Sequence, residues 1–342
     1  MTNAPHPCAT PLVTVENLAV RFVSSDMDVP VVNGVSFSLR QGEVLCLLGE
    51  SGSGKSVTMR ALMRLLPPTA RLGGRIEVDG IDVINLPAKQ LSRIRGPLIS
   101  MIFQEPLTAL DPVYTIGQQI SEAVRQHEGV GRDDAMRRAL ELLELVQVPS
   151  AKRRLAAYPH ELSGGLRQRA MIALALSCRP KLLLADEPTT ALDATVQVQV
   201  LLLLRELQRE LGMATIFVTH DLGVACEVAD HVAVMYAGRF VETGSITDIM
   251  DAPAHPYTQG LLNSTVSESL RNQDLASIPG APPDLTALPP GCAFAPRCAR
   301  HTPACDVGVP PLRGEAGHQS RCIFPPDAAI PVAEASALSS AA

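Results

Sequence analysis

The stretch that most limits what this chain can fold into is Gly49-Glu50-Ser51-Gly52-Ser53-Gly54-Lys55-Ser56, which fits G-x-x-x-x-G-K-[ST]. It follows the short apolar run Glu43 to Leu48 and precedes VTMRALMRLL, whose apolar spacing is helical and stops at Pro67-Pro68. Strand, glycine loop and helix in that order cradle phosphate. Gly49, Gly52 and Gly54 let backbone N–H groups close around phosphate oxygens, joined by Ser51 and Ser53. Lys55 then reaches the β- and γ-phosphates, and the Ser56 hydroxyl is a Mg²⁺ ligand. The loop alone says only nucleotide, because small-molecule kinases and GTPases use the same device.

A second site narrows the reading. Leu182 to Asp186 is an apolar strand that delivers Asp186 to the sheet edge as a Mg²⁺ ligand, with Glu187 directly after it. Adjacent carboxylates repel and are poor structural choices, so Glu187 is the candidate general base for an attacking water. A third stretch, Leu162-Ser163-Gly164-Gly165-Leu166-Arg167-Gln168-Arg169, opens a helix with a hydroxyl and exposed N–H groups aimed at an anion.

The rest of the chain supports an α/β fold. Val13 to Phe22 and Val31 to Leu39 read as a strand hairpin, and Gly74 to Val78 and Leu98 to Phe103 as further strands. Ile116 to His127 and Asp133 to Val148 read as amphipathic helices. The strand LLLAD, a helix from Val196 to Leu211 closed by Gly212, and the strand ATIFVTH then alternate as in a parallel sheet. Hydrophobic residues make up 46% of the chain but aromatics only 3%, so aliphatic side chains must fill the core, as suits buried parallel strands. We divide the chain into a nucleotide-binding domain at 12–250, with a helical part at about 105–178, a Pro-rich cysteine-bearing extension at 251–325, and a flexible end at 326–342.

A net charge of −6 gives no general reason to bind nucleic acid. The opening MTNAPHPCAT lacks the pattern of a secretory leader, and no apolar run is long enough to span a bilayer, so we expect a cytoplasmic chain whose membrane role comes through partners. Of eight cysteines, Cys8, Cys46, Cys178 and Cys226 are scattered, whereas Cys292, Cys298, Cys305 and Cys322 crowd the extension. In a reducing compartment such a cluster points to metal before disulfides. Its C-x₅-C-x₆-C-x₁₆-C spacing lacks the close pair usual in zinc sites and suits an iron–sulfur cluster held by separate loops. Zinc on these four thiolates, zinc with His301 or His318 replacing one, and a metal-free tail are the alternatives.

In motif order and content the chain resembles the ATPases of ATP-binding-cassette (ABC) transporters over residues 12 to about 325. The resemblance implies a P-loop fold with a parallel core, an antiparallel β part and a helical part that carries the signature. It also implies two ATPase domains paired head to tail, with Ser163, Gly164 and Gly165 of one closing on the nucleotide of the other. Gln104 matches the Q-loop that senses Mg²⁺ and water and links to membrane subunits. Asp193 matches the D-loop, His220 the switch histidine, and Phe22 the adenine-stacking aromatic. Leu166 stands where Gln is commoner in the signature. FQEPLTALDP, AYPHELSGG, HPYTQGLL and GCAFAPRC resemble the dipeptide and oligopeptide importer branch, which also handles nickel, glutathione and some oligosaccharides. That branch can carry a four-iron cluster in this tail. The partners implied are a second ATPase, a related chain in preference to a second copy, two transmembrane permeases and, indirectly, an extracytoplasmic solute-binding protein. The place implied is the cytoplasmic face of the membrane. The 107 residues between Lys55 and Ser163 are too few for the long coiled coil of DNA-repair ABC proteins.

Overall fold

The computed structural model describes residues 10–25, 27–190, 192–264, 278–315 and 317–324. The expected flexible end at 326–342 and Cys8 lie outside the described residues.

Twelve strands form two sheets among the described residues: β1 (Val13–Val23), β2 (Asp28–Leu39), β3 (Val44–Leu48), β4 (Ala70–Val78), β5 (Ile81–Asp82), β6 (Ile99–Ile102), β7 (Leu182–Asp186), β8 (Ala214–Thr219), β9 (His231–Tyr236), β10 (Arg239–Ser245), β11 (Arg313–Glu315) and β12 (His318–Ser320). The smaller sheet runs β2-β1-β4-β5 and is antiparallel. The β1-β2 ladder runs out to Val23↔Asp28, and Arg21 pairs with Asp28 at 2.7 Å. The larger sheet runs β11-β12-β10-β9-β3-β8-β7-β6, with β9-β3-β8-β7-β6 parallel and the rest antiparallel.

Every residue of β3, β7 and β8 is buried, because helices cover one face of the parallel strands and the small sheet with the helix Lys55–Leu62 covers the other. This leaves the loops at the carboxyl ends of β3, β6, β7 and β8 to build a crevice, the usual ligand position in an open α/β sheet.

Two helices stop earlier than their apolar periodicity predicts. The helix after the glycine loop spans Lys55–Leu62 rather than running to the prolines, and Arg64 turns left-handed with φ +50. The Arg95 guanidinium donates to Met63 O at 2.8 Å and to Arg64 O at 3.0 Å, satisfying carbonyls that more helix would have used. The second, Arg132–Leu145, ends because Gln147 turns left-handed with φ +57, and buried Val148 then returns to the core. The helix before it, Ile116–Glu128, is fixed at its start by a Thr115/Gln118 capping box.

The extension does not hang off the cassette, since β12 pairs with β10 through Glu242↔Ser320 and Thr243↔Gln319. Glu242 is fully buried; its Oε1 accepts from Ala254 N at 2.7 Å and lies 2.8 Å from His318 Nε2, and its Oε2 accepts from His255 N at 2.9 Å. Removing that carboxylate orphans buried donors. We expect Glu242→Ala to lose about 3 kcal/mol in denaturant unfolding, against about 0.5 kcal/mol or less for exposed Glu16→Ala. Equal midpoints for the two variants would contradict this role.

Candidate functional site

The glycine loop follows β3 and is shaped by close approach. A Cβ on Gly49 would stand 2.2 Å from Met235 O, and one on Gly54 2.8 Å from Val31 O, both at positive φ. Lys55 is buried, and its Nζ donates to Gly49 O at 2.6 Å and Glu50 O at 2.9 Å. Burial pulls its ammonium below the usual lysine range, opposed by the charges of Glu187 and Asp186. A loop that holds a desolvated cation this way is primed for an anion. At the end of β7, burial raises the Asp186 carboxyl, and the Ser56 hydroxyl donates to it at 2.7 Å.

Glu187 sits in the left-handed region at φ +46, where a non-glycine residue costs about 1 kcal/mol or more, and its N–H is tied to Val218 O at 3.0 Å. The strain aims its carboxylate into a cavity of about 790 Å³ that Gln104, His220 and the glycine loop also line. Gln104 Nε2 donates to Glu187 Oε2 at 3.1 Å, and Thr190 Oγ donates to the same oxygen at 3.0 Å. The other oxygen, Oε1, lies 3.4 Å from His220 Nδ1. Three side chains thus converge on one carboxylate, Gln104 and His220 from the ends of two other strands and Thr190 from Glu187's own loop. Thr190 escaped sequence reasoning, and the only signal for it was its position three residues after Glu187.

Other candidates stand apart from this cavity. Phe22 is half-buried on β1 against the small sheet's core. Ser163 precedes the helix Gly164–Leu176 without a side-chain capping bond and is exposed, as is Gly164. Gly165 is required by packing, because a Cβ there would meet Val196 Cγ1 at 2.8 Å. Asp193 caps the helix Ala194–Leu211, accepting from Val196 N at 3.0 Å. The glycines of the signature and the D-loop aspartate therefore open two helices that abut each other, outside the pocket made by the same chain.

The extension reaches the glycine loop directly. In His255-Pro256-Tyr257, burial lowers the His255 imidazole to about 3, so its neutral Nδ1 accepts from Tyr257 N at 3.1 Å and caps the helix Pro256–Asn263. Tyr257 OH accepts from Glu50 N at 2.8 Å, and Arg297 donates to both oxygens of Glu50 at 2.7 and 3.0 Å. Cys292, Cys298, Cys305 and Cys322, none in a disulfide, line one cavity of about 20 Å³ walled by Phe294, Pro310 and Ile323. Burial pushes the Cys292 thiol up to about 11 and raises those of Cys298 and Cys322. Among the described residues no group of three or more His, Cys, Asp or Glu side chains is arranged to hold a metal ion. His301 and His318 are engaged elsewhere, with Asp306 at 3.1 Å and Glu242 at 2.8 Å.

Residues 32–190 match the ABC transporter family and residues 241–305 the C-terminal region of oligopeptide/dipeptide transporters. The chain is 47% identical over 325 residues to the oligopeptide transport ATP-binding protein OppD of Salmonella typhimurium, covering 95% of this chain and 96% of that protein. The chain belongs to the oligopeptide-transporter branch of the ABC ATPases. Another member of the branch, OppD of Bacillus subtilis, is 50% identical over 289 residues, covering 84% of this chain and 81% of that one. Among solved structures, the ATP-binding cassette MJ0796, described as a dimer in a post-hydrolysis state bound to ADP and Pi, superposes with a TM-score of 0.62 at 28% identity. It covers 68% of this chain and 98% of its own. CbiO1 from Clostridium perfringens, part of an ABC transporter complex, gives 0.60 at 30% identity over 70% of this chain and 90% of its own. As an ABC ATPase, this chain binds and hydrolyses ATP. No helix among the described residues is long and apolar enough to cross a membrane.

Proposed function

We propose that this chain hydrolyses ATP at the cavity between the glycine loop and Glu187 and thereby powers uptake of peptides or a related solute through separate permease subunits. The observation that carries the reading is the Glu187 carboxylate, held by Gln104, Thr190 and His220 in the cavity that Lys55 and the glycine loop enclose. Lys55 and the loop N–H groups bind the β- and γ-phosphates. Glu187 accepts a proton from water as the water oxygen bonds in line to the γ-phosphorus; the bridging P–O bond breaks, and ADP and phosphate leave. His220 contacts the γ-phosphate and Gln104 orients the water. The oxygen donors Ser56, Asp186 and Gln104 fit Mg²⁺, which neutralises phosphate charge when bound.

Exposed Ser163, lying outside the cavity of its own chain, supports head-to-tail pairing in which each chain completes its partner's site. The second ATPase in this reading is a related chain in preference to a second copy, as the resemblance of FQEPLTALDP, AYPHELSGG and HPYTQGLL to the peptide-importer branch implies. Exposed Leu107, Val113 and Tyr114 follow closely on Gln104 and offer apolar surface to a permease at the cytoplasmic face. Affinity purification of the full chain from membranes tests this. Two permeases and a second ATPase are expected to copurify, and the ligand retained by the associated binding protein names the cargo. Recovery without any membrane subunit would overturn the transport reading.

For the tail we propose a four-iron, four-sulfur (4Fe-4S) cluster on Cys292, Cys298, Cys305 and Cys322. The support is a donor set of four thiols that line one apolar cavity, with a spacing that lacks the close pair usual in zinc sites. The cluster would tie the Pro-rich loops together. Protein purified without oxygen should be brown with roughly four iron per chain. Colourless protein with stoichiometric zinc would contradict it.

A further inference from the structure

Glu50 puts a carboxylate into the phosphate-binding loop, at a position that the pattern G-x-x-x-x-G-K-[ST] leaves open. Glu50 directly follows Gly49, and its charge stands beside the place where a polyphosphate must settle. Three of its groups are nevertheless fixed. Its N–H donates to Tyr257 OH at 2.8 Å, its carbonyl accepts from Lys55 Nζ at 2.9 Å, and its carboxylate takes two bonds from Arg297 at 2.7 and 3.0 Å. Two of these partners come from beyond residue 251.

Arg297 is itself held independently of Glu50. Its Nε donates to Pro279 O at 2.8 Å, and its guanidinium carbon lies 5.9 Å from the ring centres of Tyr236 and Phe294. The residue is 9% exposed and also lines the nucleotide cavity, together with Ile278, Gly280 and Pro282. A two-pronged pair between a buried guanidinium and a partly exposed carboxylate both cancels charge and sets direction.

We infer that Arg297 is a positioning residue of the ATP site: from the C-terminal extension it neutralises and orients Glu50, so that the glycine loop keeps the shape and positive field a polyphosphate needs. The inference rests on the glycine loop being the ATP site, as proposed above. It makes the extension part of nucleotide binding, with the cysteine loops as the frame that carries Arg297 between Cys292 and Cys298.

ADP binding to the full chain, measured by calorimetry, tests it. Arg297→Gln is expected to weaken ADP about tenfold, because an uncompensated carboxylate then faces the phosphates. Glu50→Gln lies in the phosphate loop and removes half of the pair, so it is expected to weaken ADP by about twofold, and the double variant Glu50→Gln/Arg297→Gln should be no weaker than Glu50→Gln alone. A purely structural arginine would not be rescued by changing Glu50. If the double variant stays as weak as Arg297→Gln, or if Arg297→Gln binds like the parent, the inference is wrong. Should Arg297→Gln fail to fold, Arg297→Lys carries the same comparison, with a loss of about threefold that Glu50→Gln restores; no loss, or no restoration, overturns it. Lys55→Ala separates the two levels of the account. Unchanged ADP affinity in Lys55→Ala would sink the site assignment itself, whereas loss in Lys55→Ala without loss in Arg297→Gln would sink only the role of Arg297.

Discussion

Glu187→Gln binds ATP within about threefold of the parent and turns it over about a thousandfold more slowly, which is the effect expected for loss of a general base. The amide keeps the shape of the carboxylate and its hydrogen bonds to Thr190 and Gln104 can re-form, so the cavity survives. What is lost is the group that takes the water proton. Glu187 also occupies its left-handed backbone position through an N–H bond to Val218 O that the substitution leaves alone. Bound ATP should then accumulate in a closed pair of ATPases. Single-turnover hydrolysis and nucleotide retention together check this, and turnover within about threefold of the parent, well under 1 kcal/mol of barrier, would remove Glu187 as the base.

Ser163→Arg should leave ATP affinity of the isolated chain unchanged while lowering turnover about a hundredfold or more. Ser163 is exposed, makes no capping bond and does not line its own chain's cavity, so a large cation there disturbs neither the fold nor monomeric binding. In a head-to-tail pair it stands against the partner's nucleotide and blocks closure. The contrast is Lys55→Ala, which removes a buried ammonium from the glycine loop and weakens binding in one chain. Fluorescent nucleotide titration of the isolated chain separates the two. Equal loss of affinity in both variants would contradict a site shared between subunits.

The parts of this molecule that were legible in sequence are those whose cause is local. A five-residue apolar strand, a glycine loop and a helix announce each other within twenty residues or so, and β7 and β8 are readable because both faces of each are buried. Asp186 and Glu187 are legible from the apolar strand that delivers them and Gln104 and His220 from the family resemblance; all four lie at or just past the ends of parallel strands, which finish on one edge of the sheet. The lengths of two helices were misjudged, since what ends them is a left-handed residue or a distant arginine rather than their own periodicity. β11 and β12 are three-residue, largely polar strands, and only their pairing with each other and with β10 makes them strands at all. Glu50 and Arg297 lie 247 positions apart, so nothing in either neighbourhood foretells the pair. The four tail cysteines were conspicuous by composition, but that they share a cavity is a property of the fold.

Peptide uptake into proteoliposomes tests the central claim most directly. This chain and the second ATPase and two permeases proposed above are reconstituted with ATP on the side of the ATPases and the proposed binding protein plus labelled oligopeptide on the other. The account predicts peptide accumulation that requires ATP, stops with Glu187→Gln in this chain, and is accompanied by ATP hydrolysis that rises when loaded binding protein is added. Peptide accumulation that continues undiminished with Glu187→Gln, or hydrolysis indifferent to permeases and binding protein alike, would contradict it.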